Sequence, residues 1–275
     1  MSATGTAPAA RSAAEATTAR GLLSRPAVQI ALGAVLPVVL LIVWFLITLP
    51  GAPLVPPYKF PSPAAVVEAG IGLAERGELW QFTAISLQRV LLGFAAGALL
   101  GIAIGGLVGL SRFWNIVLDP TLGVIRAVPS LAWVPLLIVW FQIGEESKII
   151  LIAIGAFFPV FTTVSLALRH VDAHLVELGR SFGFTGLRLF FTVQLPAVLP
   201  ALFSGLRLAL VQAWLFLVAA ELIAASMGLG FLLSRGQQTG RIDQIVLAII
   251  LLAVLGKITD SLLGLVQRWA VRRWG

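Results

Sequence analysis

Long apolar runs with almost no charge dominate this chain and restrict its fold more than any other feature of the sequence. Four of them lie at Ala27–Leu49, Val90–Leu110, Leu122–Ile143 and Ile149–Leu168, and the third contains Arg126 near its start. A helix needs about 20 apolar residues to cross the hydrocarbon layer of a membrane. Charged residues make up only 11% of the chain, against about 25% in a typical soluble domain. We therefore predict an all-α membrane protein.

Two further apolar runs contain ionisable side chains. Leu199–Ala224 contains Arg207 and Glu221, and Ile245–Val266 contains Lys257 and Asp260. Ionisable groups are costly in hydrocarbon and normally face protein or water. Together with Arg126, these four residues are our candidates for a transport pathway or for structural charge. Lys257 and Asp260 are three residues apart, which predicts that they pair on one helix face.

One more uncharged stretch, Leu189–Leu206, could be counted as a separate span. It contains Gln194, Pro196 and Pro200. An amphipathic segment followed by Leu-Pro is more typical of a helix that lies at the membrane interface. We therefore predict an interfacial helix here and six transmembrane helices in the whole chain.

The distribution of basic residues predicts the orientation. With the N-terminus inside, eleven Lys and Arg residues fall on the cytoplasmic side and six on the outer side, which favours an N-in, C-in topology. Ser62 and Pro63 predict the start of an outer interfacial helix. The predicted order is a disordered cytoplasmic tail (1–26), the first transmembrane helix (27–49), a periplasmic segment with interfacial helices (50–88), a membrane core (89–267) and a basic cytoplasmic tail (268–275).

Glycine recurs at every fourth position of the second predicted span. The five residues are Gly93, Gly97, Gly101, Gly105 and Gly109. They share nearly one helix face, and a groove of small residues lets another helix approach closely. This pattern predicts tight helix packing, with a sliding surface for conformational change as the alternative.

Residues for catalysis or metal binding do not cluster in the sequence. The chain has no cysteine, and we find no Ser/His/Asp set, paired-carboxylate cleft or metal-ligand spacing in it. We therefore predict a protein that is not an enzyme, with no catalytic residue, no metal and no cofactor of its own.

The stretch VELGRSFGFTGLRLFFTVQLP interrupts the hydrocarbon-rich sequence with charges and glycines. Residues up to Ser181 can form one short helix, and Gly183 and Gly186 permit a sharp bend after it. Glu177 and Arg180 are three residues apart and can hold each other or contact a partner. In the predicted topology this stretch lies in the cytoplasm, between the fourth and fifth spans.

This stretch resembles the cytoplasmic "EAA" loop of bacterial ABC importer permeases. Glu177, Gly183 and the final Leu195-Pro196 match its spacing, whereas Leu178 and Gly179 replace its alanine pair. The resemblance extends over about residues 60–274, through motifs such as FPSPAAVV, RAVPSLAWVPLLIVWFQIGEESKIILIAIGAFFPV and AAELIAASMGLGFLL. These look like the type I permease subfamily that serves aliphatic sulfonates, taurine, nitrate and bicarbonate. The ending LLAVLGKITDSLLGLVQRW is most similar to the aliphatic sulfonate branch.

The resemblance implies a type I ABC importer permease fold for the membrane core (89–267) and a location in the bacterial inner membrane. It also implies that a coupling helix contacts a separate ATPase subunit. The residues carried over to that role are Glu177, Leu178, Gly179, Arg180, Gly183, Phe184, Gly186, Leu195 and Pro196. The implied partners are a second copy of the chain, two ABC ATPase subunits that bind ATP and Mg, a periplasmic or lipid-anchored substrate-binding protein, and membrane lipid. No nucleic acid is expected.

Other functions stay open at this stage. Within the same family, the substrate can be nitrate, bicarbonate or taurine, and no residue pattern separates these anions from a sulfonate. In a different class, the chain can be an ion-coupled secondary transporter subunit that places protons or ions on Glu221, Lys257 and Asp260. A membrane-embedded enzyme is disfavoured, because catalytic groups do not cluster.

Overall fold

The computed structural model describes residues 26–49, 54–142 and 144–274, and within these ranges every regular element is helical. The chain divides into two units, Met1–Ala65 and Val66–Gly275. In the first unit, α1 (Pro26–Ile47) carries Pro37 within its 22 residues. The indole Nε1–H of Trp44 donates a hydrogen bond to the carbonyl of Pro61 at 2.9 Å. The predicted N-terminal tail lies outside the described residues, apart from its last position.

The next two helices confirm one predicted helix start and move another. Helix α2 (Pro63–Glu75) begins where Ser62 and Pro63 predict it, and the Ala65 N–H donates to Ser62 Oγ at 3.2 Å. Gly77 has a φ of 75°, which ends the turn before α3 (Glu78–Leu110). Residues 78–88, expected in the outer segment, form the start of this 33-residue helix, which is about 50 Å long.

The third predicted span is not one straight helix. It is divided among α4 (Arg112–Ala127), a 3-10 turn and α5 (Val134–Phe141), and the two halves are bent by 86°. Proline disfavours the helical conformation of the residue before it, and Val128 before Pro129 is extended, with ψ at 123°. The predicted run over residues 122–143 is therefore divided by a bend at Pro129, and whether the bent pair makes the single crossing stays a prediction.

The glycine face of α3 packs closely against another helix, as the sequence predicts, and that helix is α6 (Glu145–Arg169). A Cβ at Gly101 would lie 2.9 Å from the carbonyl oxygen of Phe157, and one at Gly105 would lie 2.9 Å from that of Phe161. The other three glycines face carbonyl oxygens of α6 in the same four-residue step. The two backbones therefore touch, which is close helix packing of the small-residue type.

We expect Gly101→Ala to lower the thermal unfolding temperature of the purified protein, whereas Gly106→Ala leaves it unchanged or raises it. The added methyl group at Gly101 meets a backbone carbonyl, while the space beside Gly106 is open within 4 Å. Overpacking costs about 1–3 kcal/mol, and an unobstructed Gly-to-Ala change in a helix gains up to about 1 kcal/mol. Equal unfolding temperatures for the two variants would contradict a backbone contact here.

A second correction concerns the stretch predicted as an interfacial helix. After α7 (Ala173–Ser181), helix α8 (Gly186–Leu189) continues through a π-helical turn into α9 (Leu195–Ala224). Residues 186–223 thus make one helix of 38 residues, and the prediction of a separate interfacial helix is wrong. The ring of Pro196 crowds the carbonyl four residues earlier, which lies in the wider π turn, so the helix continues without a break.

The chain ends with α10 (Leu229–Thr239) and the 33-residue α11 (Ile242–Trp274). The main core of the second unit lies where α3, α6 and α9 meet, and it contains the buried side chains of Val90, Ile152 and Leu217. Helices α3, α6, α8–α9 and α11 are long and apolar enough to cross a membrane, and the bent α4–α5 pair would add a fifth crossing. The six-span count and its orientation stay predictions.

Candidate functional site

Helix α7 is the short helix that the sequence predicts in the EAA-like stretch. It begins after Asp172, whose carboxylate accepts a hydrogen bond from the His174 N–H at 2.9 Å. Such a cap satisfies a backbone donor that has no partner within the helix. Glu177 and Arg180 are both exposed, and no ion pair joins them in the described part of the chain.

The bend predicted at the two glycines is present. Gly183 has a φ of 80° and Gly186 a φ of 55°, a region that glycine enters without steric penalty. The Phe184 N–H closes the turn by donating to the carbonyl of Gly179 at 3.0 Å. The Arg188 guanidinium lies 4.6 Å from the centre of the Phe184 ring. The turn therefore reverses the chain sharply between α7 and α8.

Gly179 is the point at which α7 touches the helix that follows. It is buried, and a Cβ there would lie 2.7 Å from Leu189 Cδ1 and 2.9 Å from Val193 Cγ2. Leu195 and Pro196 are half-buried at the start of α9, two residues after Val193. Helix α7 is therefore fixed to the long helix that carries Arg207 and Glu221.

Three large apolar side chains are exposed around this turn. The exposed fraction is 55% for Leu178, 72% for Phe182 and 76% for Leu187. Sequence reasoning included Leu178 but missed Phe182 and Leu187, although both flank the two glycines that make the bend. Leu178 lies on α7, Phe182 directly follows it and Leu187 lies on α8, so the exposed apolar group is centred on the turn between the two helices.

Glu221, one of the pathway candidates, lies instead in a buried charge network. Its carboxylate accepts hydrogen bonds from Ser86 Oγ at 2.8 Å, from Arg89 Nη1 at 2.6 Å and from the Gly230 N–H at 2.7 Å. Gly228 has a φ of 119°, and the Glu221 carboxylate occupies the place that a Cβ of Gly228 would take. These contacts join α3, α9 and the start of α10.

The same arginine extends the network to α6. Arg89 Nε and Nη2 each donate to the Glu145 carboxylate at 2.6 Å, and Lys148 Nζ lies 2.9 Å from Glu145 Oε1. The Arg89 side chain is buried, and its guanidinium is shared between the two carboxylates of Glu145 and Glu221. Bidentate, charge-assisted bonds of this type are the strong ones in proteins. We interpret Glu221 as structural charge, and its partner is 132 positions away in the chain.

Asp260 pairs with Arg207 rather than with Lys257. Arg207 Nε and Nη2 donate to the two carboxylate oxygens of Asp260 at 2.8 and 2.7 Å, which joins α9 to α11. The predicted Lys257–Asp260 ion pair is wrong, because a planar guanidinium on the neighbouring helix matches the carboxylate with two parallel bonds. Lys257 is exposed on α11.

Arg126 lies in the last turn of α4, beside α6. Its Nη1 donates to Thr162 Oγ1 at 2.9 Å, and the side chain is exposed. Ion pairs in the described ranges neutralise Arg89 and Arg207 but do not include Arg126. The guanidinium lines a cavity of about 400 Å³ between α4, α6 and α9. Arg126 therefore remains a pathway candidate.

The chain is similar to known membrane transport proteins over most of its length. Residues 97–272 match the model of the family described as "binding-protein-dependent transport system inner membrane component". The putative aliphatic sulfonates transport permease protein SsuC of Escherichia coli is 45% identical over 212 residues, which are 77% of this chain and 81% of that protein. SsuC of Bacillus subtilis is 42% identical, with 86% and 85% covered. The taurine transport system permease protein TauC of Escherichia coli is 35% identical, with 84% and 85% covered.

A solved structure has the same fold. In the inward-facing MetNI methionine ABC transporter, a chain that is 22% identical superimposes with a TM-score of 0.56, and the match covers 74% of this chain and 98% of that one. The resemblance to ABC importer permeases drawn from the EAA-like stretch is confirmed. The chain belongs to the family of binding-protein-dependent transport system inner membrane components, and it is a multi-pass permease of the bacterial inner membrane.

Proposed function

We propose that this permease imports aliphatic sulfonates as part of an ATP-driven complex. The observation that carries the proposal is the identity of 45% and 42% to two permeases named for aliphatic sulfonates. Both matches extend over more than three quarters of this chain. The permease named for taurine is less similar, at 35% identity.

The surface around α7 is proposed to bind a partner ATPase. Leu178, Phe182 and Leu187 form its exposed apolar part, and Glu177, Arg180 and Arg188 surround them with charge. An apolar centre with a charged rim is the usual composition of a protein–protein interface. ATP and Mg are bound by that partner in this proposal, since the family resemblance implies no nucleotide site in the permease.

The contact at Gly179 is proposed to transmit the motion of the ATPase to the membrane. Because α7 lies directly on the π-helical turn, a displacement of α7 moves the start of α9. Changing the population ratio of the open and closed states of a gate from 1:99 to 99:1 takes about 5.5 kcal/mol of differential binding. In our proposal, nucleotide-driven closure of two ATPases supplies that free energy. Two copies of this chain enclose the pathway, and a substrate-binding protein delivers the sulfonate from outside.

The hydrogen-bonded groups in the membrane favour this proposal over an ion-coupled transporter. Glu221 already accepts bonds from Ser86, Arg89 and Gly230, and Asp260 is paired with Arg207. A carboxylate that binds and releases an ion or proton on each cycle would have to break such contacts every time. Sulfonate uptake by the chain alone in proteoliposomes, driven by an ion gradient, would contradict the ATP-driven proposal.

We expect Glu177→Ala to uncouple ATP hydrolysis from the substrate-loaded binding protein. The test reconstitutes the permease with its ATPase and measures hydrolysis with and without binding protein and an alkanesulfonate. Loss of one charged contact at an interface should reduce the stimulation about fivefold or more. Glu146→Ala is the matched control, since Glu146 is exposed at the opposite end of α6. Equal stimulation in both variants would exclude Glu177 from the ATPase contact.

Taurine is the second candidate substrate, because TauC also matches most of this chain. Uptake of a labelled alkanesulfonate, with unlabelled taurine, nitrate and bicarbonate as competitors, separates these cases. We expect strong competition from other alkanesulfonates and weak competition from the three smaller or more polar compounds. Equal or better uptake of taurine would replace the proposed substrate.

A further inference from the structure

A cavity of about 400 Å³ opens between α4, α6 and α9, and its lining combines one cation with polar and apolar side chains. The polar lining residues are Arg126, Ser130, Thr162, Thr163 and Gln212, and the apolar ones include Phe158 and Phe216. Small-molecule sites in proteins commonly have volumes of about 300–1,000 Å³ and this mixture of surfaces. The size and the lining therefore suit a small amphiphilic ligand.

The cavity lies along α6, which is long and apolar enough to cross a membrane, and not at the end of that helix. Thr162, which accepts the hydrogen bond from Arg126, is seven residues before Arg169 at the end of α6. At a rise of 1.5 Å per residue this is about 10 Å from that end of the helix. A guanidinium at such a depth is costly unless it faces water, protein or an opposite charge.

In the described ranges, no carboxylate forms an ion pair with Arg126, whereas carboxylates neutralise the charges of Arg89 and Arg207. Arg89 is bonded to Glu145 and Glu221, and Arg207 is bonded to Asp260. Within the described residues, the ion pairs leave Arg126 without a carboxylate, and its side-chain partner is the neutral Thr162 hydroxyl. The cavity at Arg126 is therefore electropositive. A second cavity of about 260 Å³ near Arg89 includes Glu145 in its lining and lacks this net charge.

The apolar wall of the cavity is held in place by close packing. The Phe216 ring is buried and occupies the space that a Cβ at Gly155 would take. Gly155 and Phe216 both line the cavity, so contacts within the chain hold this wall in place. An aromatic wall that is fixed in this way reduces the entropy lost when an amphiphile binds.

The geometry points to this cavity as the site where the permease holds the sulfonate group of its substrate within the membrane. The Arg126 guanidinium and the Thr162 hydroxyl bind the sulfonate oxygens, and the alkyl chain lies against Phe158 and Phe216. A planar guanidinium donates two parallel bonds to an oxyanion. This inference rests on the proposed function, because it takes an aliphatic sulfonate as the transported compound.

The absence of cysteine from the natural chain makes a direct test possible. Ser130→Cys introduces a single thiol into the cavity, and Ser204→Cys introduces one at an exposed position of α9. The rates of labelling by an anionic, sulfonate-bearing methanethiosulfonate and by a cationic one are compared in detergent without added phospholipid. Pentanesulfonate serves as the competitor, and a soluble phosphatidylglycerol is added separately to distinguish a lipid phosphate from the sulfonate.

We expect the anionic reagent to react faster at Ser130→Cys, with pentanesulfonate slowing the reaction there but not at Ser204→Cys. Adding Arg126→Gln should reduce the ratio of anionic to cationic labelling about tenfold. Arg126→Lys should retain most of the preference, and Arg112→Gln, at the other end of α4, should retain all of it. An unchanged ratio in Arg126→Gln would overturn the site. Protection by the phospholipid but not by pentanesulfonate would overturn the sulfonate as its ligand.

Transport separates this inference from the proposed function. In the complete reconstituted complex, Arg126→Gln should reduce alkanesulfonate uptake about tenfold or more, while Arg112→Gln does not. No sulfonate uptake by the wild-type complex would contradict the proposed function itself. Normal wild-type uptake with an unaffected Arg126→Gln variant would overturn only the cavity. If Arg126→Gln fails to assemble, Thr162→Val removes the neighbouring hydroxyl and is expected to weaken pentanesulfonate protection of Ser130→Cys, and full protection there would overturn the site.

Discussion

Arg89→Ala is expected to prevent the permease from folding stably in the membrane. The substitution leaves the buried Glu221 carboxylate without its cation and removes the link from α3 to Glu145. Removing one partner of a buried ion pair costs about 3–5 kcal/mol, because the other charge stays buried and unpaired. We expect low yield of folded protein and an unfolding temperature lowered by about 10 °C or more.

Arg241→Ala is the matched control for this result. Arg241 also pairs with a carboxylate, Asp243, at 2.6 Å, but its side chain is 54% exposed. Exposed pairs contribute at most about 1 kcal/mol, so this variant should unfold close to the wild-type temperature. If Arg89→Ala unfolds at the same temperature as Arg241→Ala, the network around Glu221 does not hold the helices together. A functional role for Glu221 would then be the better interpretation.

Gly179→Leu is expected to stop transport while the membrane helices stay folded. Its side chain would enter the space held by Leu189 and Val193, and thus push α7 away from the π-helical turn. In our proposal this contact links the ATPase to α9, and coupling free energies of this kind are about 1–3 kcal/mol. We expect alkanesulfonate uptake by the reconstituted complex to fall about tenfold or more, with little change in the unfolding temperature.

A graded substitution at the same position serves as the control. Gly179→Ala adds a single carbon at 2.7 Å from Leu189 Cδ1 and 2.9 Å from Val193 Cγ2, so these two methyl groups must move, but far less than for a leucine side chain. It also restores one alanine of the pair in the EAA motif that the sequence resembles. Uptake by Gly179→Ala should stay near the wild-type rate. Equal uptake by the alanine and leucine variants would exclude this contact as the mechanical link.

Local patterns in the sequence were sufficient for features that depend on neighbouring residues. Ser62 and Pro63 predicted the start of α2, and Gly183 and Gly186 predicted the bend after α7. The glycine repeat of α3 predicted close packing of this face, because a smooth helix face is encoded at four-residue intervals, and the structure shows that the partner is α6. The EAA-like stretch predicted the family, which the similarity to known permeases confirms.

Features that depend on distant residues were not predictable in the same way. Asp260 has Lys257 at the right local spacing, but it pairs with Arg207, which is 53 positions away. The Glu221 network likewise needs Ser86 and Arg89 from another helix. Pro129 was visible in the sequence, yet an apolar run with a proline can cross as a kinked helix or bend sharply. Tertiary packing decides between these outcomes, and a single sequence contains little information about it.

The contact between α3 and α6 also determines which parts of the permease can move during transport. From Gly93 to Gly109, the glycines of one helix face both carbonyl oxygens and side-chain Cβ atoms of the other, so there is little room for rearrangement at this contact. A rotation of α3 by about 100°, the angle between successive helical residues, would bring bulky side chains such as Leu100, which is now exposed, against the same carbonyls. We therefore expect the two helices to move as one unit during transport, and hinge motion to occur at less closely packed elements such as α11, which is joined to α9 by the Arg207–Asp260 pair.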